Sequence, residues 1–142
     1  MNIEDYKKKF TQWGEERGIY TDSTLKDQIK KWGEERAEML IAETKEELMD
    51  AIGDQFVCLV HCENFRESSG PVMHDIDNIA LGLLADIELY MCVRQWGEAM
   101  AELERHADDM DLNFLECLEM TWMNIKDRKG KMVKGQFVKE AV

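Results

Sequence analysis

Helix-breaking residues are scarce in this sequence of 142 residues, which contains one proline and nine glycines. The long stretches between them are dominated by Leu, Met, Glu, Lys and Ala, residues that favour helices. Apolar runs near the length of about 20 residues that spans a bilayer are absent, so we expect no membrane partner. The N-terminal segment lacks the apolar core of a signal peptide, and we expect a cytoplasmic protein.

An excess of positive charge is missing as well. The 18 Lys and Arg side chains are outnumbered by 30 Asp and Glu, which gives a net charge of −12. Because binding to a phosphodiester backbone needs a basic surface, we expect no nucleic acid polymer as a partner. A small polyanionic substrate is compatible with this charge if metal ions bridge it to the acidic residues and a local basic patch helps to bind it.

Several familiar kinds of site are excluded by what is absent. No glycine-rich phosphate loop follows a strand, and no strand pattern is convincing. No histidine follows a glutamate by three residues, which disfavours a di-iron carboxylate centre. The cysteines form no Cys-x-x-Cys pair, so they are predicted to be buried free thiols rather than zinc ligands or disulfides. They are Cys58, Cys62, Cys92 and Cys117.

The length fits a single domain, residues 1–142, with a predicted all-α fold of four to five helices. Periodicity and capping residues place the helices at 2–17, about 24–42, 44–64, about 75–107 and about 111–126. Residues 18–24 are predicted as a loop, 66–75 as a linker, and Gly82 or Gly97 as a break in the fourth helix. Asp109 or Asp111 is predicted to cap the fifth. The basic tail, 128–142, is either a solvated end or a flap carrying positive charge over a site.

Two short acidic clusters are the most informative feature of the sequence. Residues three, four or seven apart share one face of a helix, so two neighbouring helices can direct their carboxylates at one point. Like charges that close are stable in the ionised form only when cations lie between them. Oxygen ligands on rigid helices suit Mg²⁺ or Mn²⁺. The first cluster is Glu34, Glu35 and Glu38, and the second is Glu47, Asp50 and Asp54.

A solvated acidic face is the alternative to a metal site, because acidic residues are so numerous. The composition of the third helix argues against it, since apolar residues surround that helix on nearly every side from Leu48 to Val60, as in a buried helix. Asp50 and Asp54 would then lie in or beside a core, where unpaired carboxylates are costly. His61 follows two turns later and fits a core or supporting group better than a ligand.

Two further features of the sequence have open interpretations. Gly33 in mid-helix indicates a close approach by another helix or a ligand. The densest basic group in the chain ends the fifth helix, and it is either a helix C-terminus with favourable cations or a phosphate clamp. Its members are Asn124, Lys126, Arg128, Lys129 and Lys131.

The acidic residues, taken in order, resemble the EExxE and ExxD pattern of the MazG-like all-α nucleoside triphosphate pyrophosphohydrolases, above all the small single-domain proteins of bacteriophages and bacteria. The WGEERGIY segment near the N-terminus and the stretches 124–132 and 135–140 are also similar to that family. The resemblance implies a helical bundle of that type. It also implies Mg²⁺-dependent cleavage of (deoxy)nucleoside triphosphates to a monophosphate and pyrophosphate.

The resemblance assigns roles residue by residue. Glu35, Glu38, Glu47 and Asp50 match the metal-binding acids, while Asp54 is the alternative to Asp50 for the second motif, although its glutamate partner would then fall on Ala51. Glu34 is implied to activate or orient water, beside Glu35 and Glu38. The implied contacts to the leaving pyrophosphate are Lys126, Arg128 and Lys131, with Asn124 nearby. Trp13, Trp32 or Trp122 would stack on the base unless it belongs to the core.

The family further implies a homo-oligomer, either a dimer or a tetramer. If a phage encodes the protein, it would act in the host cytoplasm. The alternative function is a non-catalytic nucleotide- or protein-binding regulator that has kept the fold, and a third is a structural bundle. The sequence does not indicate which nucleobase a substrate would carry.

Overall fold

A computed structural model describes residues 1–65, 86–92 and 94–140. The predicted linker at 66–75 and the predicted start of the fourth helix lie outside these residues. Within them the chain is mostly helical, as expected for an all-α class, with a small two-stranded sheet. The elements are α1 (Ile3–Glu16), α2 (Ile19–Asp22), α3 (Leu25–Ile41), α4 (Lys45–Asn64), α5 (Asp86–Cys92), α6 (Trp96–Asp109), α7 (Phe114–Ile125), β1 (Gly130–Val133) and β2 (Gln136–Lys139).

Side-chain caps set four of the helix starts. Asn2, Thr24, Thr44 and Asn113 each accept a hydrogen bond from the backbone N–H three residues later. Each bond satisfies a donor that the first helical turn leaves free. Gly18 ends α1 with a φ of 79°, in the left-handed region that glycine adopts without strain.

The fourth helix breaks between Cys92 and Trp96, where Arg94 has a φ of 59°, which confirms the predicted break near Gly97. The alternative break near Gly82 lies outside the described residues. Two other predictions are wrong. The segment after Gly18 contains the short helix α2 rather than only a loop. The last helix is capped by Asn113 and not by Asp109 or Asp111, because α6 continues to Asp109.

Helix α4 forms the centre of the core. It contacts α1, α3, α6 and α7, and from Ala51 to Cys62 every residue except the half-buried Asp54 is buried. The prediction of a helix buried on all sides is therefore confirmed. Cys58, Cys62 and Cys117 are buried free thiols, as predicted, and the side chain of Cys92 lies outside the described part of the structure.

Helices α4 and α7 approach most closely at Gly53. A Cβ atom added at this residue would overlap the side chain of Thr121 and lie 2.8 Å from the carbonyl oxygen of Cys117. Only glycine permits this helix spacing. Gly33 on α3 is exposed instead, and a Cβ added there would meet no described atom within 4 Å, so none of the described helices makes the predicted close approach at Gly33.

The basic tail folds into an antiparallel hairpin, in which Gly130 pairs with Lys139. The sequence showed no convincing strand pattern, so these two strands were not predicted. Phe137 packs edge-on against Trp13 of α1, with 5.3 Å between ring centroids, and Gln136 Nε2 donates to the carbonyl oxygen of Asp27 on α3 at 2.7 Å. The hairpin therefore lies against α1 and α3. None of the described helices is both long and apolar enough to span a bilayer.

Candidate active site

A cavity of about 310 Å³ opens where α1, α3, α4 and the hairpin meet. Residues three, four and seven apart on a helix share one face, and this periodicity accounts for its two longest walls. The wall from α3 is Gln28, Lys31 and Glu35, and the wall from α4 is Asp54, Val57, Cys58 and His61. The short connection between α3 and α4 makes these two helices antiparallel neighbours.

Glu35 is the most buried acid of the cavity, with 5% of its surface exposed. Its Oε2 has no hydrogen-bond partner among the described residues, while its Oε1 lies 3.3 Å from Lys31 Nζ. Burial, reinforced by the neighbouring Glu38, raises the pKa of Glu35 to about 7. A buried carboxylate oxygen without a partner lowers the stability of the folded protein unless a ligand supplies that partner.

Asp54 faces the same cavity from α4. Burial raises its pKa to about 8, and repulsion from Asp50 and Glu35 adds to the increase, while Arg128 and Lys31 act in the opposite direction. The tertiary structure has thus brought one acid of each predicted cluster to a common place. Oxygen donors that repel one another in a half-buried site fit a hard divalent cation.

The other predicted acids lie at the rim or outside the cavity. Glu38 is exposed beside Glu35, and Glu34 is exposed with its carboxylate 3.5 Å from Lys31 Nζ. Asp50 is half-buried and accepts a hydrogen bond of 3.3 Å from Asn124 Nδ2. Glu47 is exposed and accepts one of 2.9 Å from the backbone N–H of Glu43. In the part of the chain that the structure describes, no three His, Cys, Asp or Glu side chains form a group that could hold a metal ion.

Among the described residues, three cationic side chains line the cavity: Lys31, Arg128 and Lys139. Arg128 was predicted from the sequence. Lys31 was missed, although its position four residues before Glu35 is a recognisable signal for an ion pair on a helix. Lys139 carried no such signal, because only the hairpin brings it there. Lys126 and Lys131 are not among the residues that line this cavity.

The turn that follows α7 and carries Arg128 is held by Trp13 of α1 and by Arg17, the residue after α1. Trp13 Nε1 donates to the carbonyl oxygen of Ile125 at 2.8 Å. Arg17 donates to the carbonyl oxygens of Lys126 at 3.1 Å and of Arg128 at 3.0 Å. Carbonyl groups at a helix C-terminus lack partners within the helix, so these donors act as a cap supplied by a different helix.

Replacing Arg17 by Lys is therefore expected to loosen this turn. A lysine retains the charge but cannot reproduce the forked donor geometry, so we expect a loss of about 1 to 2 kcal/mol in unfolding free energy. We also expect a decrease of several-fold in the affinity for a phosphate ligand. Urea unfolding and ligand titration measure the two effects, with the exposed Arg105→Lys as the control. Equal behaviour of the two variants would contradict the capping role.

Trp13 is the predicted tryptophan that lines the cavity, whereas Trp32 and Trp122 are not among its lining residues. The guanidinium carbon of Arg17 lies 4.5 Å from the Trp13 ring centroid, and the imidazole of His61 stacks with the ring at 6.0 Å. His61 is buried in the wall of the cavity, and burial lowers its pKa to about 3. Its imidazole is therefore neutral.

In chelator, the stability of the protein is expected to fall as the pH rises from about 6.5 to about 8. The folded pKa values of Glu35 and Asp54, about 7 and about 8, lie above their ordinary 4.5 and 3.8. The folded state then binds more protons than the unfolded state, so stability decreases with pH. His61 has the opposite effect on stability, because burial lowers its pKa from 6.5. That effect changes with pH only below about 6.5.

Chemical denaturation at several pH values measures this slope, which we expect to be on the order of 1 kcal/mol per pH unit. The double variant Glu35→Gln with Asp54→Asn should show little slope over the same range. A slope in the double variant as steep as in the wild type would assign the pH dependence to other groups.

Comparison of the chain with protein-family models, with curated proteins and with solved structures finds no match. The resemblance to the MazG-like enzymes therefore stays a prediction from the residues quoted above.

Proposed function

We propose that this protein is a Mg²⁺-dependent nucleotide pyrophosphohydrolase, which cleaves (deoxy)nucleoside triphosphates to a monophosphate and pyrophosphate. The observation that carries the proposal is the cavity where the carboxyl groups of Glu35 and Asp54 share the walls with Lys31, Arg128 and Lys139. Acids and cations on one cavity match a metal-bound polyphosphate, which presents both positive and negative charge to the protein.

The residues that would hold the cation are Glu35 and Asp54, with Glu38 and Asp50 one turn away on the same helices. The unpartnered Oε2 of Glu35 supports this assignment. A bound Mg²⁺ would neutralise the triphosphate and polarise the phosphorus that is attacked. Mn²⁺ has the same ligand preference. Glu47 would join this set only after its carboxylate leaves the backbone of Glu43.

The cationic side chains would bind the phosphate oxygens. Arg128 can hold two oxygens at once through its planar guanidinium group, and the cap from Arg17 restrains the turn that carries it. Lys31 on α3 and Lys139 on the hairpin would each add a single charge. Glu34 is exposed and paired with Lys31 of the cavity wall, and it could orient water after leaving that ion pair.

A purely structural role does not explain the acids. Two carboxyl groups with raised pKa values destabilise a helical bundle when they are ionised. Amide or apolar side chains at these positions would give a more stable bundle. A non-catalytic nucleotide-binding regulator would keep the same charges and differs only in turnover. Hydrolysis is therefore the property to measure.

A homo-oligomer is part of the proposal. Leu40 and Ile41, at the end of α3, are each 75% exposed, and apolar side chains on a surface are often covered by a second subunit. Sedimentation would distinguish a dimer from a tetramer.

The test is release of pyrophosphate from a panel of canonical and modified (deoxy)nucleoside triphosphates, with Mg²⁺, with Mn²⁺ and with chelator. We expect release that chelator abolishes, with the monophosphate as the second product. Release of inorganic phosphate instead would overturn the α–β cleavage. No release from any substrate, together with tight nucleotide binding, would favour the regulator.

A further inference from the structure

Two buried polar side chains of the cavity remain without a role in the chemistry above. Gln28 lies seven residues before Glu35 on α3, and His61 lies seven residues after Asp54 on α4. Because the two helices are antiparallel, both displacements run towards the same end of the cavity. Seven residues of helix correspond to about 10 Å, so the cavity has an acidic end and a neutral polar end.

A chain of hydrogen bonds orients the imidazole of His61. Asn64 Nδ2 donates to the hydroxyl oxygen of Tyr20 at 3.2 Å, and that hydroxyl lies 2.8 Å from His61 Nδ1. A hydroxyl can both donate and accept, so this contact fixes the orientation of the imidazole for either tautomer. The other ring nitrogen, Nε2, has no partner among the described residues.

The amide of Gln28 is also incompletely used. Only 3% of this residue is exposed, and its Nε2 donates to Ser23 Oγ at 3.0 Å. From the described residues, its Oε1 receives no hydrogen bond. An unpaired polar atom in a buried place is costly, and a ligand can supply the missing partner. Of these two side chains, the one with a buried unpaired atom is His61, at Nε2.

Much of the remaining cavity wall is apolar and partly aromatic, with Ile19, Val57, Trp13 and Phe137 among its lining residues. Trp13 stacks with His61, and Phe137 packs against Trp13, so aromatic rings lie beside His61. Flat apolar walls with a few fixed polar groups are typical of sites for planar heterocycles. A triphosphate bound at the acidic end would place its base in this direction.

We propose that Gln28 and His61 determine base specificity by hydrogen-bonding the polar edge of the nucleobase. This inference rests on the proposed nucleotide substrate. His61 Nε2 forms a hydrogen bond with the base edge, and the amide of Gln28 pairs with a neighbouring donor or acceptor. Tyr20 acts as a positioning residue because its hydroxyl holds the imidazole of His61 through Nδ1.

The test compares Gln28→Met and His61→Phe, which retain approximate size but remove hydrogen bonding, with the wild type. The matched control is Gln55→Met. Gln55 is also a fully buried amide of this fold, bonded to the carbonyl oxygen of Ala51, but it does not line the cavity. Tyr20→Phe leaves His61 itself intact and serves if His61→Phe does not fold.

Two readouts are collected for each protein: kcat/KM for triphosphates of the five common bases, and equilibrium binding of the corresponding monophosphates. We expect the ratio between the best and worst base to shrink by about 10-fold or more in the two site variants. The control should keep the wild-type ranking even if its melting temperature falls. The change should occur mainly in KM, because base contacts are made in the ground state.

The outcomes separate the two proposals. Suppose that the wild type releases pyrophosphate but shows no base preference, or the same base preference as both site variants. The specificity role is then overturned, and the hydrolase proposal stands. If the wild type releases none but its binding preference among monophosphates is lost in the variants, the specificity role stands and the hydrolase falls. Absence of both release and nucleotide binding overturns both.

Discussion

Replacing Glu35 by Gln is expected to lower kcat/KM by about 100-fold or more while the protein stays folded. Glu35 is the buried acid whose Oε2 lacks a partner, and an amide of the same shape cannot supply a second negative oxygen to a cation. Steady-state pyrophosphate release measures the loss. Glu98→Gln, an exposed position on α6, is the control for removing one charge from an acidic protein.

The same variant should lose the response to metal. Mg²⁺ stabilises the folded state by mass action if it binds only that state, so we expect Mg²⁺ to raise the melting temperature of the wild type and of Glu98→Gln but not of Glu35→Gln. In chelator at pH 8, the variant should be at least as stable as the wild type, since a repelling charge has been removed. A variant with wild-type turnover would remove Glu35 from the mechanism.

Replacing Gly53 by Ala is expected to destabilise the protein by about 3 kcal/mol, the upper range for overpacked cores. The new methyl group would overlap Thr121 and press on the carbonyl oxygen of Cys117, which is backbone and cannot rotate away. Helices α4 and α7 would have to separate along the centre of the core. Because Asp54 is the next residue, the affinity for metal should fall as well.

Gly33→Ala is the matched control in another helix. Its Cβ would meet no described atom, and alanine favours helix over glycine by about 0.5 to 1 kcal/mol. We therefore expect opposite signs for the two substitutions in urea unfolding. If Gly53→Ala unfolded at the same urea concentration as the wild type, the close approach of α4 and α7 at Gly53 would be contradicted.

Caps and periodicity predicted the helices that build the cavity. Thr44 begins α4 as expected, and Thr24 begins α3, where the sequence allowed Ser23 or Thr24. The apolar circumference of α4 identified the central helix. These features depend on neighbours within about one or two turns, which a sequence displays directly. The break after Cys92 was predicted to within a few residues, whereas the cap at Asn113 was missed because Asp109 and Asp111 are equally suitable capping residues nearby.

The hairpin was missed for a different reason. Its strands have four residues each, are largely exposed, and gain their position from contacts of Phe137 with Trp13 and of Gln136 with Asp27. Such contacts join residues more than a hundred positions apart and leave no local pattern. Lys139 reaches the cavity only because of them.

By itself, the sequence determined a helical domain, a buried central helix, and two acidic clusters on neighbouring helices. It could not determine which acids face each other, since helical spacing places several carboxylates on each face. The packing of α3 against α4 selected Glu35 and Asp54 for the cavity and left Glu34 and Glu47 at the surface. The neutral end with Gln28 and His61 likewise exists only in the tertiary structure, because it is formed by side chains that separate helices bring together.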